Sequence, residues 1–163
     1  MTVMKYALAL ALTWTAFAQA PASPILTVSG DVPMPLKLTL ADLAAMPRQT
    51  AKVPNPNGGD FTYQGVSLFE VLKRAGAPSE GALRGNALAS YVLAKASDGY
   101  QVAFTLGEID PSFGNTPILI ADHRDGTALS GNQGSLRLVV PNDHEGARSV
   151  RMLETLEFFR LKK

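Results

Sequence analysis

The chain has 163 residues, with 15 basic and 14 acidic side chains, 46% apolar residues and no cysteine. A net charge of only +1 argues against nucleic-acid binding, which depends on a basic surface that neutralises phosphates. The missing cysteines exclude disulfides and thiolate metal ligands, so apolar packing has to stabilise the fold. The two histidines, His123 and His144, lack the close ligand spacing of a zinc site.

Residues 1–20 have the order of features that is typical of a secretory signal peptide. Lys5 precedes an apolar run over residues 6–18, and small residues close the segment at Ala20. A membrane anchor is the less favoured alternative, because the run is shorter than the roughly 20 residues that span a bilayer. We therefore expect cleavage after Ala20, export to the periplasm, and one domain over residues 21–163.

The elements of the first half follow from residue patterns in chain order. Branched apolar residues that end at Gly30 predict a first strand, and strict alternation from Leu36 predicts a half-buried second one. Ser67 is a suitable N-cap for an amphipathic helix that ends at Gly76. In full, we predict strands over residues 25–30, 36–40, 50–53 and 61–64, a helical turn over 41–46, and a helix over 68–75.

The second half reads mainly as strands. Asp98-Gly99 lies between two apolar runs and predicts a β-hairpin. Short apolar runs bounded by turn residues indicate further buried strands, and the last strand alternates loosely. The predicted strands cover residues 91–96, 100–104, 117–121, 136–140 and 153–161. Because strands and two helices do not alternate regularly, we expect an α+β fold rather than a doubly wound sheet.

A polar loop over residues 141–151 follows the strand that ends at Val140. Loops at strand ends often carry binding groups, and the guanidinium groups of Arg148 and Arg151 could hold a phosphate or carboxylate. Solvated surface charge is the alternative interpretation, and His144 is expected to be a surface imidazole rather than a base. The sequence contains neither a nucleophile elbow nor a phosphate-binding glycine loop.

Several motifs of the chain occur in one order between Thr27 and Phe158. They are Tyr63-Gln64-Gly65-Val66-Ser67-Leu68, Asp98-Gly99-Tyr100, residues 117–121, Asp125-Gly126, residues 134–143 and residues 146–151. Together they resemble the oxidoreductase molybdopterin-binding domain family, which has the sulfite-oxidase fold. The resemblance implies an α+β fold of mixed sheets with few short helices, and a site for molybdopterin or a metal-free pterin.

The resemblance also implies which residues hold the pterin. Arg148 and Arg151 match the family's basic positions, and Asp98-Gly99-Tyr100 matches its hairpin near the site. The pterin-binding candidates are Arg148, Arg151, Tyr100, Asp98, Asp143 and Arg137. Three of them have a structural alternative: Tyr100 alternates like a core residue, Asp98 suits any Gly-containing hairpin, and Arg137 fits an outward position as well as the cleft.

Enzymes of this family bind molybdenum through a cysteine that would fall near residues 53–56, where this chain has none. The favoured hypothesis is therefore a periplasmic pterin-binding protein without catalysis, which reports its ligand to the periplasmic part of an inner-membrane receptor. The alternative is a molybdenum-cofactor-dependent oxidoreductase, or its cofactor subunit. A third hypothesis is an interaction module whose slot has closed, with Arg148 and Arg151 paired to acidic neighbours.

Overall fold

The computed structural model describes residues 23–161, so the predicted signal peptide lies outside the described residues. The strands are β1 (Leu26–Gly30), β2 (Leu36–Leu38), β3 (Arg48–Pro54), β4 (Asp60–Ser67), β5 (Tyr91–Ala96), β6 (Gln101–Thr105), β7 (Leu119–Arg124), β8 (Thr127–Ala128), β9 (Arg137–Val139) and β10 (Leu153–Phe159). The helices are α1 (Leu40–Ala44), α2 (Leu68–Arg74) and α3 (Leu106–Ile109), and short 3-10 turns cover Glu80–Ala82, Gly85–Ala89, Gly131–Gln133 and Gly146–Arg148.

The α+β prediction is confirmed, and each predicted strand is found within a few residues of its expected bounds. Ser67 caps α2 as predicted, because its Oγ accepts a hydrogen bond from the N–H of Phe69 at 3.2 Å. Two short elements, α3 and β8, were not predicted. The pattern of α3 is only four residues long, and a capping box between Thr105 and Glu108 defines it.

Sheet A has the strand order β2-β1-β10-β5-β6. The β5–β6 pair is the predicted hairpin, and it places Asp98 and Tyr100 at the end of the sheet. The first and last strands of the domain are parallel neighbours, with Val28 opposite Leu156. The segment before β10 therefore enters sheet A beside the end of the hairpin.

Sheet B has the order β3-β4-β7-β8, and β9 also pairs with β7. The pairing of β4 with β7 shifts register between Gln64 and Gly65, so that Asp122 is the extra residue of a β-bulge. A Cβ atom at Gly65 would lie 2.0 Å from the carbonyl oxygen of Ile120, which explains why this motif position is glycine. Strands β4 and β7 therefore approach each other closely beside this bulge, at the centre of sheet B.

Apolar side chains cover both faces of sheet B. Val66, Ile120 and Leu138 belong to the main core between the two sheets. On the opposite face a second, smaller cluster contains Tyr63, Leu119, Ala121, Leu129 and Val139. Tyr63 is only 2% exposed, so β4 and β9 hold its ring in a fixed place beside Arg137. Within residues 23–161, no helix is long and apolar enough to cross a membrane.

Candidate pterin site

A cavity of about 370 Å³ lies where the ends of the two sheets meet. This volume falls in the range of small-molecule sites, which is about 300 to 1,000 Å³. The hairpin of sheet A and strand β9 of sheet B both contribute to its walls, as does the segment before β10. The lining residues are Asp98, Tyr100, Gln133, Arg137, Gly146, Ala147, Ser149 and Arg151. Four of the six sequence-predicted candidates therefore come together around one cavity.

Arg137 is the most unusual side chain of this cavity because it is a partly buried cation without an acidic partner. Its Nη1 donates to Gln133 Oε1 at 2.7 Å and to the hydroxyl of Tyr63 at 3.2 Å. Its Cζ lies 5.4 Å from the centre of the Tyr63 ring. Within residues 23–161 its buried Nε has no hydrogen-bond partner and no carboxylate forms an ion pair with it. Burial of such a charge costs free energy unless a counter-ion or a further hydrogen-bond acceptor is present.

Two further guanidinium groups increase the positive charge near Arg137. Burial lowers the pKa of Arg137, and the charges of Arg151 and Arg124 lower it further. Arg151 is exposed and, in the part of the chain that the structure describes, forms no ion pair. Arg124 lies over the ring of Phe61 at 4.7 Å, and its Nε is 4.0 Å from a carboxylate oxygen of Asp125, so it contributes less than Arg151. A bound anion would offset the repulsion between these positive charges. This side of the cavity therefore favours an anionic group.

Tyr100 and Asp98 form the opposite wall. Tyr100 is 48% exposed, so the core interpretation of this residue is wrong. Its hydroxyl donates to the carbonyl oxygen of Ala147 at 2.7 Å, which joins the hairpin to the loop after β9. One carboxylate oxygen of Asp98 accepts the N–H of Tyr100 at 3.0 Å, as in an Asx turn, and therefore has a structural role as well.

The structure places the other two candidates outside the lining of the cavity. Arg148 makes a two-pronged ion pair with Asp143, with both N···O distances at 2.7 Å. Its third bond goes to Glu108 of α3 at 2.8 Å, and its Cζ lies 5.3 Å from the centre of the Phe104 ring. These hydrogen bonds raise the pKa of Arg148 and keep that of Asp143 below its ordinary value. Arg148 thus fastens the loop that supplies Gly146 and Ala147 to the cavity wall.

Sequence reasoning missed several residues of the site. Gln133 lies in a glycine-rich turn that carried no recognisable signal, and Ser149 lies within the polar loop without a charge to draw attention to it. Ser149 Oγ accepts the N–H of Val140 at 3.0 Å, which closes the loop at its base. Tyr63 belonged to a motif of the resemblance, but its contact with Arg137 joins residues 74 positions apart. A pairing over that distance cannot be read from local patterns.

The histidines lie apart from each other. The side chain of His123 is 41% exposed, and its Nδ1 lies 2.7 Å from the buried carboxylate of Asp122. That carboxylate also receives two hydrogen bonds from Arg48, at 2.5 and 2.7 Å. Burial alone would raise the pKa of Asp122, but these bonds outweigh it and hold the pKa low. Within residues 23–161, no three His, Asp or Glu side chains are grouped so that they could hold a metal, and His144 is exposed.

Three larger cavities, of about 540, 590 and 400 Å³, lie elsewhere. The first lies at the opposite end of sheet A, beside Asp31 and Arg160. The second adjoins Arg48 on the edge strand β3, where Asp122 neutralises the guanidinium. The third lies beside Gly134 and Met152. None of the three is lined by a sequence-predicted candidate, so the smaller cavity, whose Arg137 and Arg151 have no carboxylate partner within residues 23–161, is the candidate site.

The donor set of the candidate site suits a pterin but not a metal ligated by protein sulfur. The unsatisfied Nε and the missing counter-ion of Arg137 require acceptors, which a pterin's ring atoms or an attached phosphate would supply. Asp98 offers a carboxylate to the amino edge of the ring, and Tyr100 offers an aromatic face. Molybdenum bound through a protein thiolate has no match, because the chain has no cysteine.

Comparison with known proteins gives one family match and a likeness of fold. The sequence model of the oxidoreductase molybdopterin binding domain matches residues 15–162. No curated protein sequence matches the chain significantly. Among solved structures, the chain is similar to the sulfane dehydrogenase SoxCD from Paracoccus pantotrophus, with a TM-score of 0.62 and 22% identity over 82% of this chain.

The likeness to SoxCD shows the fold alone, because the identity is low and the match covers only 37% of the SoxCD chain. It confirms the sulfite-oxidase-type architecture that the motif order predicted. The family match spans nearly the whole chain, including every residue around the cavity. The chain therefore belongs to the oxidoreductase molybdopterin-binding domain family.

Proposed function

We propose that this protein binds a pterin in the periplasm without catalysing a reaction on it. The observation that carries the proposal is the cavity in which Arg137 and Arg151 lack carboxylate partners among the described residues, in a chain that contains no cysteine. The cationic half of a family-type site is kept, while the protein ligand for the metal is missing. The ligand is molybdopterin or a metal-free pterin.

Each wall of the cavity has a separate task in this proposal. Arg137 and Arg151 bind acceptors or an anionic substituent of the pterin with charge-assisted hydrogen bonds. Asp98 accepts hydrogen bonds from the amino group and ring N–H of the pyrimidine edge. Tyr100 adds an aromatic surface beside the flat ring. When bound, a pterin of this kind supplies redox-active ring chemistry, and the protein residues supply recognition and orientation.

An oxidoreductase is the alternative. Family membership is the observation in its favour, and the metal would then be held by the dithiolene of the cofactor alone. The sequence at the expected cysteine speaks against it, because residues 53 and 54 of β3 are valine and proline and the turn that follows has no thiol. The resemblance implies a cysteine thiolate on the metal in addition to the dithiolene, and this chain offers none. Binding without turnover therefore explains this chain better.

Location and partner complete the proposal. The signal-peptide pattern of residues 1–20 supports export and cleavage, which would bring the domain into the periplasm. A single small binding domain in that compartment can report its ligand by docking, when loaded, on the periplasmic part of an inner-membrane receptor. The interaction-module hypothesis requires both loop arginines to be neutralised, whereas only Arg148 is paired among the described residues.

Mass spectrometry of the small molecules released from the natively purified protein tests the proposal. A pterin without molybdenum is the expected result, and an Arg137→Met variant purified in parallel should release much less of it. Molybdopterin with its metal would support the oxidoreductase instead. Release of no pterin from either protein would contradict ligand binding and leave an interaction module. The variant is informative because it removes the charge and keeps an unbranched, apolar side chain in place of the arginine stem.

A further inference from the structure

Met152, which follows Arg151, has an unusual backbone conformation. Its φ angle is +52°, in the left-handed region that side-chain-bearing residues other than Asn and Asp rarely occupy. The residue is partly buried, and β10 begins directly after it at Leu153. Backbone strain of this kind persists only when surrounding contacts enforce it, and it is frequent at functional sites.

Hydrogen bonds of residue 152 connect three segments of the cavity wall. Its N–H donates to the carbonyl oxygen of Gln133 at 2.8 Å, and its carbonyl oxygen accepts the N–H of Ser97 at 3.0 Å. Gln133 lines the cavity itself, Ser97 precedes Asp98 of the hairpin, and Met152 follows Arg151. One strained residue thus joins the turn, the hairpin and the arginine-bearing segment.

Gly134 makes this junction possible. A Cβ atom at Gly134 would lie 2.6 Å from the Cα atom of Met152, which is too close for two carbon atoms that are not bonded to each other. Its φ angle of +72° is also in the left-handed region. The two backbones therefore touch directly, and the direction in which the chain leaves Arg151 depends on both residues.

We propose that Met152, held in the left-handed conformation against Gly134, is a positioning residue that places Arg151 at the cavity beside Arg137. The effect of Met152 on ligand binding rests on the proposed pterin-binding function. Its effect on the positions of the two guanidinium groups does not depend on that function. The backbone of residue 152, rather than its thioether, carries this role. Replacement of the side chain is therefore tolerated only where the new residue accepts a positive φ.

Three variants separate positioning from stability. Met152→Val introduces a β-branched residue that cannot easily adopt φ of +52°, whereas Met152→Gly adopts it without strain. Asn115→Val is the matched control, because it places valine at another left-handed position, φ +48°, that does not line the cavity. Should Met152→Val fail to fold, Gly134→Ala tests the same junction from the other side while Met152 stays in place.

Two measurements are made on each variant. NMR of the guanidinium N–H groups reports the surroundings of Arg137 and Arg151 without any ligand. Fluorescence titration with a pterin carboxylic acid reports binding. We expect Met152→Val to shift both guanidinium signals and to weaken binding about tenfold or more, the contribution of one charge-assisted hydrogen bond. Met152→Gly should restore both, and Asn115→Val should change neither despite lower stability.

The outcomes distinguish this inference from the proposed function. Wild-type guanidinium signals in Met152→Val, or equal losses in Asn115→Val, would overturn the positioning role. Shifted signals together with no binding of the pterin carboxylic acid by the wild type would support the positioning role and contradict the proposed function for this ligand class.

Discussion

Arg137 lies in β9, before the polar loop, and Arg148 lies within that loop, yet their surroundings are opposite. Arg148 makes three ionic hydrogen bonds, two to Asp143 and one to Glu108, and its charge is neutralised. Arg137 is partly buried, has only neutral partners among the described residues, and keeps an unsatisfied Nε. From the sequence, both arginines were predicted to bind the pterin. The partners decide which arginine supports the fold and which is available to a ligand.

The difference also separates two energetic roles. A buried cation without a counter-ion lowers the stability of the empty protein, because its lost hydration is not replaced. A paired surface cation contributes a modest stabilisation and has little capacity left for an anion. Substitution of Arg137 should therefore weaken ligand binding without lowering the stability of the empty protein. Substitution of Arg148 should mainly lower the stability.

The largest expected effect is on binding at Arg137. Arg137→Met should weaken pterin binding by about 1.5 to 3 kcal/mol, because one hydrogen-bonded charge in the cavity is removed. The free energy of unfolding of the empty protein should not fall, since the variant removes an unpaired charge from a partly buried place. Calorimetric titration and denaturant unfolding check the two parts. Undiminished affinity in this variant would contradict the role given to Arg137.

The next effect is on stability at Arg148. Arg148→Met should lower the free energy of unfolding by about 1 kcal/mol, because Asp143 and Glu108 both lose their partner. For a domain of this size, that change lowers Tm by roughly 2 to 4 °C. Thermal unfolding of the empty protein provides the measurement. A variant with unchanged Tm and strongly reduced affinity would instead return Arg148 to the list of ligand contacts.

The smallest effect concerns pH. Hydrogen bonds from Arg148 hold the pKa of Asp143 below its ordinary value, so this carboxylate stabilises the folded protein fully above about pH 4. Its contribution is lost as the pH falls through the lower pKa of the folded state. The difference in unfolding free energy between wild type and Asp143→Asn, at most about 1 kcal/mol near neutral pH, should therefore shrink towards zero in strong acid. Denaturant unfolding across this range checks it, and a difference independent of pH would contradict the ion pair.

Local patterns predicted most of the fold. The strands and the hairpin that carry Asp98 and Tyr100 were recognisable because alternation and turn residues act over short distances. Helix α3 was missed because a four-residue helix has no periodicity to detect. That omission matters for the site, since Glu108 of α3 is one of the groups that neutralise Arg148.

The candidate site was predicted only in part, and the reason is again distance along the chain. Arg148 and Glu108 are 40 residues apart, and Arg137 meets Tyr63 across 74. The family's motifs indicate which residues lie near a pterin, but they cannot show which arginine has found a carboxylate. The structure supplies those pairings and shows that Met152 joins three segments of the cavity wall.

The parallel pairing of β1 with β10 has a consequence for the order in which the protein folds. Sheet A cannot close until the last strand has been made, because Val28 and Leu156 are neighbours at its centre and are both fully buried. Contacts so distant in sequence form slowly, since a long loop has to close before they stabilise the chain. A nascent chain would therefore stay open until β10 has been synthesised. Late closure is compatible with the export that we propose, and it makes removal of β10 more damaging than loss of any surface loop.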